Sequence, residues 1–122
     1  MQPRRTSEES RTIERFRARY GRRGTAAERA IERAAIGANV GANGYTTIDQ
    51  AALLGRLLAL QRGVRLLDIG CGRGYPGVYL ARETGCSVVA CDLPLASLRA
   101  ARGRAERLAT ACAFGSRFPT TL

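Results

Sequence analysis

The stretch VRLLDIGCGRG, from Val64 to Gly74, decides the fold of this chain. Its first six residues, Val64 to Ile69, form a short apolar run between Gly63 and Gly70. A run of this length favours a buried parallel strand over a helix, because such strands are nearly continuously apolar and helices are usually longer. We therefore predict a strand that ends directly before a glycine-rich turn.

The segment after the turn continues as a strand–helix–strand unit. Pro76 suits the first turn of a helix, and Gly85 suits its end. Ser87 to Cys91 (SVVAC) predicts a second strand, and the residues from about Leu95 to Ala109 predict an Arg-rich helix. This order favours an α/β fold, because two parallel strands need a crossover connection such as a helix.

Two features of this unit indicate a nucleoside ligand. Gly70, Gly72 and Gly74 remove β-carbons where the backbone turns sharply and a ligand must approach closely. Asp92 follows the second strand, 22 residues after Gly70, and a carboxylate there can accept two hydrogen bonds from ribose hydroxyls. The alternative interpretation is purely structural: the glycines shape a tight turn, and Asp92 caps the next helix.

The residues before this unit predict helices. Three pairs have the spacing of capping boxes: Thr6 with Glu9, Thr25 with Glu28, and Thr47 with Gln50. We expect the three helices to end at Gly21, near Gly37 and at Leu60, with a flexible glycine-rich loop over residues 37–45. The predicted organisation is a helical region at 1–62, a partial α/β domain at 63–110 and an irregular tail at 111–122.

Composition limits the class of protein. The 122 residues carry a net charge of +10, and all twenty basic residues are Arg, a bias that a GC-rich genome produces without any binding role. The most apolar stretch, Ala51 to Leu60, is shorter than the roughly 20 residues of a membrane span. The four cysteines lack CxxC spacing and the chain has no His, so we predict no metal site and a reduced, cytoplasmic protein.

Two motifs carry a family resemblance. LLDIGCGRG, Leu66 to Gly74, resembles the first motif of class I S-adenosylmethionine-dependent methyltransferases, and CDLP, Cys91 to Pro94, resembles their second acidic segment. GYTT, Gly44 to Thr47, looks like the leader of some bacterial members, in which a helical segment closes over the cofactor. The resemblance implies part of a Rossmann-like methyltransferase fold, S-adenosyl-L-methionine as cofactor, and a transferase acting on an unidentified acceptor.

The resemblance also implies roles for single residues. Asp68 and the backbone of Gly70, Gly72 and Gly74 would line the methionine end of the cofactor. Asp92 would bind the ribose, and Leu93 would pack beside the adenine.

No catalytic residue can be nominated from the sequence. Cys71 is interpreted as a small space-filling residue, because nothing near it in the sequence forms a His-paired nucleophile. Tyr45 and Tyr75 are interpreted either as cofactor contacts or as ordinary packing. Methyl transfer can proceed largely by proximity and alignment, so activity does not require a general base.

Two alternative functions stay open at this point. Gly72 to Gly77 satisfies GxGxxG and Asp92 lies twenty residues after Gly72, which also fits an NAD(P)-binding oxidoreductase fragment. The register argues against it, because Gly70 and Cys71 intervene between the strand and the first of these glycines. The second alternative is a nucleic-acid-binding module in which the Arg-rich N-terminus contacts phosphates and the α/β unit is a scaffold.

Members of the resembled family continue with further strands beyond the position of Thr110. We therefore expect a C-terminally truncated chain that is marginally stable and a poor enzyme by itself. The edge of the strand at Val64 to Ile69 would be exposed, which favours self-association. The acceptor stays open among small molecules, lipids, proteins and RNA, because the absent segments would build its pocket.

Overall fold

The computed structural model describes residues 6–20 and 24–116. Within these ranges the chain forms five helices and three strands. In chain order they are α1 (Ser7–Tyr20), α2 (Ala26–Ile36), α3 (Ile48–Leu57), β1 (Arg65–Ile69), α4 (Gly77–Thr84), β2 (Ser87–Cys91), α5 (Leu95–Arg107) and β3 (Cys112–Gly115).

The helices begin where the capping boxes predict. The Thr25 hydroxyl accepts a hydrogen bond from the Glu28 N–H while the Glu28 carboxylate accepts one from the Thr25 N–H, and the same reciprocal bonding occurs at the starts of α1 and α3. Gly37 and Gly85 end α2 and α4 in the left-handed conformation. The predicted stop of α1 at Gly21 lies outside the described residues.

The three strands form one parallel sheet in the order β1-β2-β3. Asp68 lies opposite Ala90 and Ile69 lies opposite Cys91, so β1 and β2 end at the same level. The chain therefore brings the glycine-rich turn after β1 and Asp92 after β2 to one edge of the sheet. This confirms the predicted Rossmann-like α/β arrangement and adds a third strand.

The prediction of an irregular tail from residue 111 is wrong for β3. Cys112–Gly115 pairs with β2, with Ala113 opposite Val89 and Phe114 opposite Ala90. The segment is too short to show a reliable period in the sequence, and its extended form depends on backbone hydrogen bonds with β2. Residues 117–122 lie outside the described residues, and the domain boundary at 62 stays a prediction.

The core lies on one face of the sheet. Ala81 of α4 and Leu98 of α5 pack against Val88 and Ala90 of β2, and these side chains are buried. Side chains alternate between the faces of a strand, so Val89 points to the opposite face, which is only partly covered by the described residues. Among them β1 pairs with β2 alone, as expected for an edge strand.

The N-terminal helices pack onto this unit. Helix α1 contacts α5, and α3 contacts α4. The loop at residues 37–45 lies between these helices and the glycine-rich turn. Within the described ranges, no helix has the length and apolar character needed to cross a membrane.

Candidate ligand-binding site

A cavity of about 370 Å³ opens at the carboxyl ends of β1 and β2. We call it the nucleoside cavity. Its walls come from four parts of the chain, and its lining residues are Phe16, Asn43, Gly44, Gly70, Cys71, Gly72, Tyr75 and Asp92. Clefts of this size, at the carboxyl ends of parallel strands, are the usual ligand sites of α/β folds.

The glycine-rich turn folds back onto the end of β2. The backbone N–H groups of Gly70 and Cys71 both donate to the carbonyl of Cys91, at 2.8 and 3.1 Å. Gly72 has a φ of +53°, and a β-carbon there would lie 3.0 Å from the Asn43 side-chain nitrogen. A side chain at this position would therefore strain the backbone and crowd the loop that approaches it.

Asp92 joins this turn to the end of β2. One carboxylate oxygen accepts from the Gly72 N–H at 2.7 Å, and the other accepts from the Leu93 N–H at 2.7 Å. A carboxylate has about four lone-pair sites, so each oxygen keeps acceptor capacity. The charge is thus held at the wall of the nucleoside cavity with room for two further donors.

Asp68 belongs to β1, and its side chain approaches Gly77 at the start of α4. Burial raises the pKa of its carboxyl group, the N–H of Gly77 acts in the opposite direction, and the charge of Asp92 raises the pKa further. One of its oxygens is buried and has no hydrogen-bond partner among the described residues. A β-carbon at Gly77 would collide with this oxygen, so the close approach requires glycine.

The predicted site residues do not all reach the cavity wall. Gly70, Gly72 and Asp92 line the nucleoside cavity, whereas Asp68, Gly74 and Leu93 are not among its lining residues. Gly74 faces α5: with a φ of +104°, it would place a β-carbon 2.9 Å from Val78 and 3.3 Å from Ala101. Leu93 is 53% exposed beside Asp92.

Of the residues that the N-terminal region contributes, the sequence resemblance pointed only to Gly44. Phe16 of α1 received no role from the sequence, and Asn43 was assigned only to a flexible loop, but both line the cavity. Tyr75 lines it as well, whereas Tyr45 is 92% exposed. The capping boxes gave no signal for these contacts, because the contacts depend on how α1 packs on α5.

Cys71 has the properties of a packing residue. It is buried, and burial together with the charges of Asp68 and Asp92 raises the pKa of its thiol to about 12. A thiol with this pKa is protonated near neutral pH and is a poor nucleophile. Over residues 6–20 and 24–116, no group of three or more His, Cys, Asp or Glu side chains could hold a metal ion.

Glu32 of α2 holds the loop that carries Asn43. One of its carboxylate oxygens accepts from the N–H of Val40 at 2.9 Å and from the N–H of Ala42 at 2.8 Å. Both bonds are partly buried and involve a charged acceptor, which makes them stronger than neutral hydrogen bonds. Glu32 therefore fixes the backbone that leads into the cavity wall.

Replacing Glu32 with alanine should loosen this loop. We expect the amide hydrogens of Val40 and Ala42 to exchange faster and the free energy of unfolding to fall by about 1.5–3 kcal/mol, the range for a hydrogen bond to a charged group. Glu32→Gln keeps an acceptor oxygen, so its free energy of unfolding should fall less than that of Glu32→Ala. Glu14→Ala, on the exposed face of α1, is the control; equal effects of Glu14→Ala and Glu32→Ala on these two amides would contradict the assignment.

The fold is Rossmann-like, and the cavity lies where α/β folds commonly bind their ligands. Residues 66–117 match the family described as a methyltransferase domain. This match agrees with the motif resemblance to class I S-adenosylmethionine-dependent methyltransferases. The matches favour this family over a dinucleotide-dependent oxidoreductase fragment and over a nucleic-acid-binding module.

Three similar proteins show how much of the fold is shared. Methyltransferase GfsG of Streptomyces halstedii is 40% identical over 47 residues, which are 38% of this chain and 17% of that protein. The S-adenosyl-L-homocysteine complex of a Thiobacillus denitrificans methyltransferase has 34% identity and a TM-score of 0.52, over 57% of this chain and 29% of that one. The S-adenosyl-L-homocysteine complex of a Geobacter sulfurreducens methyltransferase has 31% identity and a TM-score of 0.52, over 57% of this chain and 28% of that one.

The chain thus spans less than a fifth of the length of GfsG and less than a third of each of the two solved chains.

Proposed function

We propose that the chain binds S-adenosyl-L-methionine in the nucleoside cavity and takes part in methyl transfer to an acceptor. One observation carries the proposal: the Asp92 carboxylate is fixed by the Gly72 N–H at the cavity wall, with acceptor capacity free for ribose hydroxyls. The two solved relatives named above were crystallised with S-adenosyl-L-homocysteine, which supports the same ligand class here.

The described residues fit this cofactor. The buried oxygen of Asp68 that has no partner offers an acceptor for a cationic group such as the ammonium of a methionine moiety. The turn at Gly70 and Gly72 presents backbone without side chains to the cavity. Leu93, exposed beside Asp92, offers apolar surface for an adenine ring.

When bound, the cofactor supplies a methyl group activated by a sulfonium. The part that we assign to this chain is to bind and orient it: Asp92 holds the ribose, and Asp68 holds the charged end. Phe16 and Asn43 contribute the N-terminal part of the wall around the bound cofactor. Alignment of this kind lowers the barrier without a general base.

Calorimetry should distinguish the cofactor classes. We expect S-adenosyl-L-homocysteine to bind the 122-residue chain and NAD or NADP to bind at least about tenfold more weakly, a difference of about 1.4 kcal/mol. The physical reason is the register of the turn, where Gly70 and Cys71 intervene before the GxGxxG segment. Tighter binding of NAD would overturn the methyltransferase proposal.

We also propose a cytoplasmic location and association through the edge of β1. The four cysteines are free thiols, three of them buried, which fits a reducing compartment. Ile69, at the end of the edge strand, is 60% exposed, and an exposed strand edge is a template for pairing with another chain. The acceptor substrate stays unidentified.

A further inference from the structure

A second cavity, of about 190 Å³, adjoins the nucleoside cavity at Tyr75. We call it the basic cavity. It is enclosed by α4, the last turns of α5 and the loop at residues 37–45, and Tyr75 lines both cavities. Three arginines line the basic cavity, namely Arg82, Arg104 and Arg107, and no carboxylate of a described residue does.

Two donors at this cavity are buried without a partner. The Arg104 Nε and the Tyr75 hydroxyl are inaccessible to solvent, and neither has a hydrogen-bond partner among the described residues. The Arg104 guanidinium packs directly against Gly41, so closely that a β-carbon at Gly41 would collide with it. Buried polar groups are nearly always paired, so two such donors at one cavity indicate a missing acceptor.

The positive charge here is only partly compensated: Arg82 lies 3.9 Å from the carboxylate of its neighbour Glu83, outside the cavity lining. Neither Arg104 nor Arg107 forms an ion pair with a described residue. Burial lowers the pKa of Arg104, the charges of Arg73 and Arg107 lower it further, and Glu32 opposes them. Glu32 lies behind the loop, where its carboxylate accepts the N–H groups of Val40 and Ala42. An anion in the cavity would relieve this repulsion.

We propose that the basic cavity binds a phosphoryl group through Arg82, Arg104, Arg107 and the Tyr75 hydroxyl. A phosphate has several strong acceptor oxygens and carries up to two negative charges near neutral pH, which suits three guanidinium groups and a hydroxyl donor. This site shares Tyr75 with the proposed cofactor site, but phosphate binding does not depend on methyl transfer.

Isothermal titration calorimetry with inorganic phosphate, at constant ionic strength in chloride, tests the proposal. We expect saturable binding that Arg107→Gln weakens about tenfold or more, the scale for losing a charged hydrogen bond. Arg102→Gln is the matched control, because it removes the same charge from an exposed position of α5 that does not line the cavity. Equal weakening by both variants would show diffuse attraction to a basic chain and overturn the proposal.

Tyr75→Phe removes the unpaired hydroxyl without changing the charge. We expect it to weaken phosphate binding severalfold while leaving the chain as stable in chloride, since removing an unpaired buried hydroxyl breaks no hydrogen bond. Unchanged phosphate binding in Tyr75→Phe and Arg107→Gln, or no binding by the unsubstituted chain, would overturn the proposal. Glycerol 3-phosphate distinguishes the sources: its binding indicates a phosphoryl group on an organic ligand, and binding of inorganic phosphate alone indicates the free ion.

Discussion

Replacing Asp92 with alanine is expected to weaken S-adenosyl-L-homocysteine binding by about 1.5–3 kcal/mol, or roughly ten- to 150-fold. The variant loses the acceptor proposed for the ribose hydroxyls. It also leaves the N–H of Gly72 without its 2.7 Å partner, so the glycine-rich turn is less well fixed. Calorimetry at constant ionic strength measures the affinity, and thermal unfolding without ligand measures the damage to the turn.

Two further variants separate these effects. Asp92→Asn keeps one acceptor oxygen. We expect its thermal unfolding midpoint to stay close to that of the unsubstituted chain, while its affinity for S-adenosyl-L-homocysteine falls. Glu106→Ala removes a carboxylate from an exposed position of α5 and should bind the ligand normally. An Asp92→Ala chain that folds and binds with unchanged affinity would remove Asp92 from the site.

Replacing Asp68 with asparagine should have opposite effects on stability and on binding. Burial raises the pKa of this carboxyl group, so the fold favours its protonated form over the charged one. The stability that the group contributes is fully present below its pKa in the unfolded chain, and it is lost as the pH rises through the higher pKa of the folded chain. Asparagine is neutral throughout, so the variant should be the more stable chain at neutral pH.

The same substitution should weaken cofactor binding about tenfold or more, because a neutral amide replaces the carboxylate proposed to face the ammonium group. S-adenosyl-L-methionine and S-adenosyl-L-homocysteine should lose affinity about equally, since both carry this group. Unfolding midpoints from acidic to neutral pH, measured without ligand, check the stability. A variant that is less stable than the unsubstituted chain at neutral pH, or that binds both ligands normally, would contradict the role of Asp68.

Local sequence signals located most of the elements. The capping boxes at Thr25 and Thr47 fixed the starts of two helices, and Gly37 fixed the end of the first, because these interactions join residues three or four positions apart. The second helix ends at Leu57, before the predicted Leu60. The strand Ser87–Cys91 was predicted with its observed bounds, and the motif resemblance agrees with the methyltransferase-domain match at residues 66–117. Strand β3 was missed because its pairing with β2 spans more than twenty residues of sequence.

By itself, the sequence determined the order of helices and strands, the glycine-rich turn and the position of Asp92 after β2. Only the tertiary structure decided which distant residues meet. Phe16 reaches the nucleoside cavity, Glu32 holds the loop at residues 37–45, and Arg104 packs against Gly41. Local patterns arise from hydrogen bonds within one or two turns, whereas these contacts depend on how α1 and the loop pack against α5, which no short segment specifies.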